Sequence, residues 1–207
     1  TVKINPEFKT EIGDLMLKTY SKLPKLPGKT LFIVDTSGSM GNLTSGMSQA
    51  TRLDQACAMA MLAVNQCESY EIVATAGSDR NPRGAEGAHV HIKYPSKGFD
   101  LFNQIVDTRS QTGQWGIFTR QCLEWCTKNI GSNFDRIIIF SDSQDQDRVD
   151  KIPKPFGKKN YIVDVSSHRN GINYKGIWTA EISGWSEHFL TYIAALEGIS
   201  NKFEDLE

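Results

Sequence analysis

The tightest constraint in this chain is a junction. The apolar run Leu31-Phe32-Ile33-Val34 passes directly into Asp35-Thr36-Ser37-Gly38-Ser39-Met40-Gly41. Consecutive large apolar residues, partly β-branched, read as a strand buried on both faces, the kind found inside a parallel sheet. The carboxylate, hydroxyls and glycines that follow read as a tight loop at the strand's C-terminal end, the edge where open α/β sheets hold their ligands. Asp35, Ser37 and Ser39 alternate, so an extended segment would point their side chains the same way. Their donors are all oxygen, with one formal negative charge. Such a set suits a hard divalent cation such as Mg²⁺, which takes oxygen ligands and retains some water.

Periodicity along the rest of the chain alternates between strand and helix. Strands are expected at 30–36, 70–76, 136–140 and 161–165, with a weaker one at 178–182. Segment 88–94 alternates Val90, Ile92 and Tyr94 against His89, His91 and Lys93, the pattern of a half-exposed antiparallel edge strand. Helices are expected at 53–65, 99–106, 119–129 and 187–196, the third capped by Thr119. An amphipathic lead-in helix, carried by Phe8, Ile12, Leu15, Met16 and Tyr20, ends at Pro24 and Pro27. The Gly/Asp/Asn/Pro-rich stretch 77–87 is a loop. This order predicts one α/β domain: a doubly wound, mostly parallel sheet of about six strands, one antiparallel edge strand, and helices on both faces. The expected boundaries are a lead-in over 1–29, the domain over 30–198, and an acidic tail over 199–207.

Composition narrows the function classes. With 39% hydrophobic and 23% charged residues the chain is neither disordered nor fibrous. Its formal net charge of −1 argues against a surface built to wrap nucleic acid. No apolar run approaches the roughly 18 residues of a membrane span, and no charged-then-apolar leader opens the chain, so no membrane partner is expected. The absence of an initial Met fits an excised or processed piece. Cys57, Cys67, Cys122 and Cys126 fall in segments that read as helix, with no C-x-x-C pair, so buried free thiols and a reducing, cytoplasmic setting are expected. The sequon at Asn42 would crowd the metal loop and reads as accidental.

The segment Asp-Thr-Ser-Gly-Ser after an apolar strand resembles the D-x-S-x-S signature of von Willebrand factor A (vWA) domains. In that family a metal-ion-dependent adhesion site draws on three loops. The resemblance implies Mg²⁺, with Mn²⁺ or Ca²⁺ as alternatives, held by Asp35, Ser37 and Ser39, then Thr119, then Asp142. Because Gly116 stands two residues from Thr119 rather than next to it, Thr112 is the alternative second-loop ligand. Gly38, Met40 and Ser143 flank these positions and are expected to line the ligand site. Within the family the chain is most similar to the A domain of Ro (TROVE-type) ribonucleoproteins. The supporting runs are 29–35, Arg136–Asp142, Asn170-Gly171-Ile172, Trp178 and Gly184-Trp185-Ser186-Glu187. In Ro proteins this domain accompanies a ring of helical repeats that binds RNA. The resemblance therefore implies a helical-repeat RNA-binding domain or subunit as a companion, no direct RNA binding by this chain, and a partner's acidic group at the metal.

Two readings compete. The oxygen set describes a non-catalytic binding module. An enzyme transferring phosphoryl groups through Asp35 would want a second Asp two residues on, where Ser37 stands, and a clamping Lys. The run Asp142–Asp147 lacks the glycine of a calcium loop, so Asp145 and Asp147 are expected to rim the metal site or face away from it. His89 and His91 have zinc-like spacing but no third ligand, and read as a solvated edge. Trp115 and Trp125 near Arg120 read as core rather than as a stacking surface.

Overall fold

The computed structural model describes residues 25–77, 87–113, 115–147, 152–166, 176–184 and 188–199, with Glu11, Leu15, Lys18, Tyr174 and Ser186. Most of the lead-in helix, the centre of loop 77–87, the Asn170–Ile172 run, Trp185, Glu187 and the acidic tail beyond Ile199 lie outside them.

Six strands form one sheet in the order β3-β2-β1-β4-β5-β6. They are β1 (Leu26–Asp35), β2 (Cys67–Thr75), β3 (His89–His91), β4 (Arg136–Ser141), β5 (Lys159–Asp164) and β6 (Ala180–Ser183). All neighbours run parallel except β3, which pairs antiparallel with β2 at the edge. The helices are α1 (Arg52–Val64), α2 (Gly98–Asp107), α3 (Thr119–Asn129) and α4 (Phe189–Leu196). This is the doubly wound architecture the alternation predicts.

The two-residue period of β1 divides the interior. Phe32 and Val34 face a core shared with Ile72, Ile138 and Phe140 of the sheet, with α1 through Ala56, Met59 and Ala60, and with Leu101, Phe189 and Ile193. Leu31 and Ile33 face the other way, onto Val73, Ile137, Ile139 and the Cys122, Leu123 and Cys126 side of α3. Helices therefore cover both faces. Phe32 stacks on Phe140 with ring centroids 6.2 Å apart, and Phe189 meets Phe140 edge-on at 5.7 Å. Burial of each such side chain is worth roughly 1.5–3 kcal/mol. The small residues of α1 let that helix lie close to β1, the strand that carries the candidate site.

Several local expectations change. β1 begins at Leu26 instead of residue 30, so Pro27 lies inside a strand. A register irregularity between Leu26 and Lys29 makes room for it, since a proline without an N–H is tolerated at a bulge. Gly28 turns that bulge at φ +81°, and a Cβ there would stand 2.2 Å from Asp135 Oδ2. Cys67 opens β2 instead of sitting in a helix, because α1 stops at Val64. Described Leu15 is 64% exposed, so it does not share in the core.

His89 is not on a solvated edge. It is buried, hydrogen-bonded through Nδ1 to Thr75 Oγ1 at 2.8 Å, and packed on Trp125 with centroids 5.6 Å apart. The helix α3 lies over that end of the sheet, which the strand's own alternation does not reveal. Trp125 packs against the second core as expected, whereas Trp115 is 48% exposed.

Candidate metal centre

The strand order reverses between β1 and β4, so the connections from these two neighbours leave in opposite directions and open a crevice beyond their C-terminal ends. Asp35 ends β1, and Asp142 directly follows β4. Both are fully buried. Chain positions more than a hundred residues apart thus deliver two carboxylates to one place.

Asp35 is held from two sides. Its Oδ1 accepts from the Ser37 backbone N–H at 2.9 Å, and its Oδ2 accepts from the Ser141 hydroxyl at 2.7 Å. The first bond folds Asp35–Ser37 into a tight turn, and residues Gly38–Gly41 continue as one turn of 3₁₀ helix. That turn brings the Ser37 and Ser39 hydroxyls to 3.3 Å from each other. Burial pushes the Asp35 carboxyl up to about 7; the Ser37 and Ser141 hydrogen bonds oppose the rise, and the nearby Asp142 charge adds to it. A buried carboxyl with a strained charge is a group that gains from a cation beside it.

Asp142 is partnered differently. Its Oδ2 accepts from Arg52 Nη1 at 2.7 Å, a buried ion pair reaching across from the first turn of α1. Its Oδ1 has only a 3.4 Å contact from the Gln144 backbone N–H. Sequence reasoning gave no sign of Arg52. A lone cation opening a helix carries no motif, and only the fold sets it against a loop ninety residues away.

The second loop contains two candidate threonines. Thr119 is the first residue of α3, and its predicted capping role is taken by others. The N-cap position is Phe118, with no side-chain cap, and Asp145 Oδ1 accepts from Thr119 N at 3.3 Å. Asp147 accepts from Arg120 N at 2.8 Å and from Gln121 Nε2 at 3.1 Å. Asp145 and Asp147 therefore satisfy the exposed N–H groups of α3 from outside the helix, where their charge also suits its dipole. Burial raises the Asp145 carboxyl above its ordinary range, and Asp147 adds to that rise. Thr112, by contrast, has a buried hydroxyl with no hydrogen-bond partner. It lies two residues past the 3₁₀ turn Thr108–Ser110, whose Arg109 side chain comes near Gly41.

The flanking residues separate. Gly38 is exposed and Ser39 half-buried at the mouth of the loop. The Met40 side chain, expected to line the ligand site, is instead buried in the first core, where it anchors the loop. Ser143 adopts φ +59°, a conformation unusual for a non-glycine residue, and its buried hydroxyl has no partner. Its backbone N–H donates to Ser141 Oγ at 3.0 Å, which ties the third loop to the hydroxyl holding Asp35.

The donor set fits a hard cation: Asp35, Ser37, Ser39 and Asp142 offer only oxygen. Among the described residues no group of three or more His, Cys, Asp or Glu side chains is placed to hold a metal ion, so a cation here would depend on the two carboxylates and on hydroxyls.

A six-stranded doubly wound sheet whose D-x-S-x-S loop and second Asp meet at the switch point has the fold of a von Willebrand factor A domain. Comparison with solved structures agrees. The Ro (RSR) protein of Deinococcus radiodurans superimposes with a TM-score of 0.64 over 94% of this chain, at 13% identity. The chain spans 39% of that protein's length. An aerotolerance-related membrane protein from Bacteroides fragilis, carrying multiple mutations to serine, gives a TM-score of 0.45 at 10% identity, over 86% of this chain and 99% of that one. No protein-family model and no curated protein sequence matches the chain. No helix among the described residues is long and apolar enough to cross a membrane.

Proposed function

We propose that this chain is a non-catalytic, metal-dependent binding module. Asp35, Ser37, Ser39 and Asp142 hold Mg²⁺ (or Mn²⁺ or Ca²⁺), with Thr112 in preference to Thr119 from the second loop. An acidic group of a protein partner takes the open coordination position. The observation that carries this reading is the meeting of Asp35, the Ser37–Ser39 hydroxyl pair and Asp142 at the β1/β4 crevice. The preference for Thr112 rests on its partnerless buried hydroxyl, against a Thr119 whose side chain is hydrogen-bonded to Asp145.

The likeness to Ro supports a companion helical-repeat RNA-binding domain or subunit, with this chain contributing protein contacts in a cytoplasmic ribonucleoprotein. The phosphoryl-transfer alternative fares poorly. The second Asp it needs two residues after Asp35 is replaced by Ser37, whose backbone N–H holds Asp35 Oδ1.

The test is calorimetric titration with Mn²⁺ and Mg²⁺. One-to-one binding, abolished by Asp35→Ala and weakened by Thr112→Val far more than by Thr119→Val, is the expected result. Unchanged binding in Asp35→Ala would sink the site. Equal losses in the two threonine variants would sink the choice between them.

A further inference from the structure

The functional reading leaves Arg52 unexplained. Its residue is 8% exposed, its Nη1 holds Asp142 at 2.7 Å, and its Nε is buried with no hydrogen-bond partner. A guanidinium carries five N–H donors in a rigid fork and stays charged. Placing one in a buried site with a donor unspent is costly unless something else comes to use it. Removing a charge from water without full pairing is a poor device for stability alone.

Charge counting shows what it changes. With both carboxylates ionised, Asp35 and Asp142 would carry two negative charges, and a divalent cation would simply neutralise them. Arg52 contributes one positive charge beside Asp142, so the same cation leaves the site with a net positive charge. A bound anion then restores neutrality.

We propose that Arg52 makes this metal site conditional, lowering the affinity of the unliganded protein for a divalent cation and coupling cation binding to the arrival of a carboxylate. The inference rests on the metal-site reading above. Arg52 is a positioning and specificity residue in this scheme: it ligates no metal and acts through Asp142. Its place at the first turn of α1 is secured independently by the Thr51/Asp54 capping box, so the helix start does not depend on the ion pair.

The experiment is Mn²⁺ calorimetry on the wild-type chain, Arg52→Gln, Arg52→Lys and Asp35→Asn, with and without sodium acetate. Gln keeps a hydrogen-bond donor near Asp142 but removes the charge, and Lys keeps the charge. Arg52→Gln is expected to bind Mn²⁺ at least about tenfold more tightly than wild type in the absence of acetate, since a unit charge a few ångströms from a cation is worth more than that at protein dielectric. Arg52→Lys is expected to stay near wild type. Acetate should tighten Mn²⁺ binding in wild type and Arg52→Lys but not in Arg52→Gln. Arg52→Gln binding no tighter than wild type, or an acetate effect that survives the substitution, overturns the inference while leaving the site intact, provided Asp35→Asn still abolishes binding. Mn²⁺ binding unaffected by Asp35→Asn, or absent from every variant, overturns the metal site and this inference with it. If Arg52→Gln fails to fold, a gain in Mn²⁺ affinity for Asp35-intact Arg52→Met against Arg52→Lys decides the same question.

Discussion

Strand β4 carries a buried arginine–carboxylate pair at each end, and the two pairs are built to opposite specifications. At its start, Arg136 spreads its guanidinium over Glu197, which it grips with Nε and Nη2, over the Pro27 carbonyl at 2.9 Å and over Thr30 Oγ1 at 3.0 Å. Tyr161 donates a further bond to Glu197 at 3.0 Å. Every described group there is spent, and the network ties the end of α4 to β1, β4 and β5. At the other end, Arg52 makes a single bond to Asp142, its Nε is unpartnered, and the Ser143 hydroxyl is idle. A closed network holds a fold together. An open one, with polar atoms buried and unspent, is the end at which the proposed metal site lies.

Breaking the closed network should have the largest effect. Glu197→Ala leaves the buried Arg136 without its anion and should cost about 3–5 kcal/mol in urea denaturation. Arg136→Met leaves a half-buried Glu197 nearer to water and should cost somewhat less. A cost under about 1 kcal/mol for either would erase the distinction drawn between the two ends.

The open end should respond to pH. The Asp35 carboxyl rises in the folded chain from 3.8 to about 7. Between those values the folded state holds a proton the unfolded state has lost, so this group makes stability fall as pH rises from about 4 to about 7. At about 1.4 kcal/mol per unit, the full penalty above pH 7 is roughly 4 kcal/mol. Asp35→Asn should therefore be more stable than wild type at pH 8 in chelator, with the difference shrinking toward pH 4. Melting temperatures of the pair across that range check this, and Mg²⁺ should reverse the ranking at pH 8. Glu71 and Asp135 are held below their ordinary values, Glu71 by Lys29 and His91 against its own desolvation and Asp135 by Lys158, and contribute with the opposite sign. They are common to both proteins and cancel in the difference.

Asp147 tests whether the acids of the third loop belong to the helix or to the metal. Asp147→Ala removes two bonds to the start of α3 and should cost about 1 kcal/mol, the worth of a cap, while Mn²⁺ affinity holds. A large fall in Mn²⁺ affinity would move Asp147 into the site.

The smallest effect is expected at Ser143. Ser143→Gly relieves a left-handed backbone and removes an idle buried hydroxyl, so it should stabilise the metal-free chain by roughly 0.5–1 kcal/mol. Loss of stability instead would mean that the hydroxyl is already used within the protein.

What the sequence alone determined is what depends on neighbours along the chain. Leu31–Val34 could only be an interior strand, because residues apolar on both alternating faces need cover on both. The order of strands and helices then left few topologies, and a switch point beside Asp35 came with the commonest. Asp35, Ser37 and Ser39 were legible together because one turn, closed by the Ser37 N–H on Asp35, decides their geometry. Contacts between distant segments were decided only by the tertiary structure. Thr119 looked like a cap because it precedes a helix, yet Asp145 and Asp147 cap that helix from another loop. His89 looked solvated because its strand alternates, yet α3 covers it. Arg52 looked like nothing at all, because a charge takes its meaning from what faces it, and the group that faces it is reached only when β1, β4 and α1 have packed around one core.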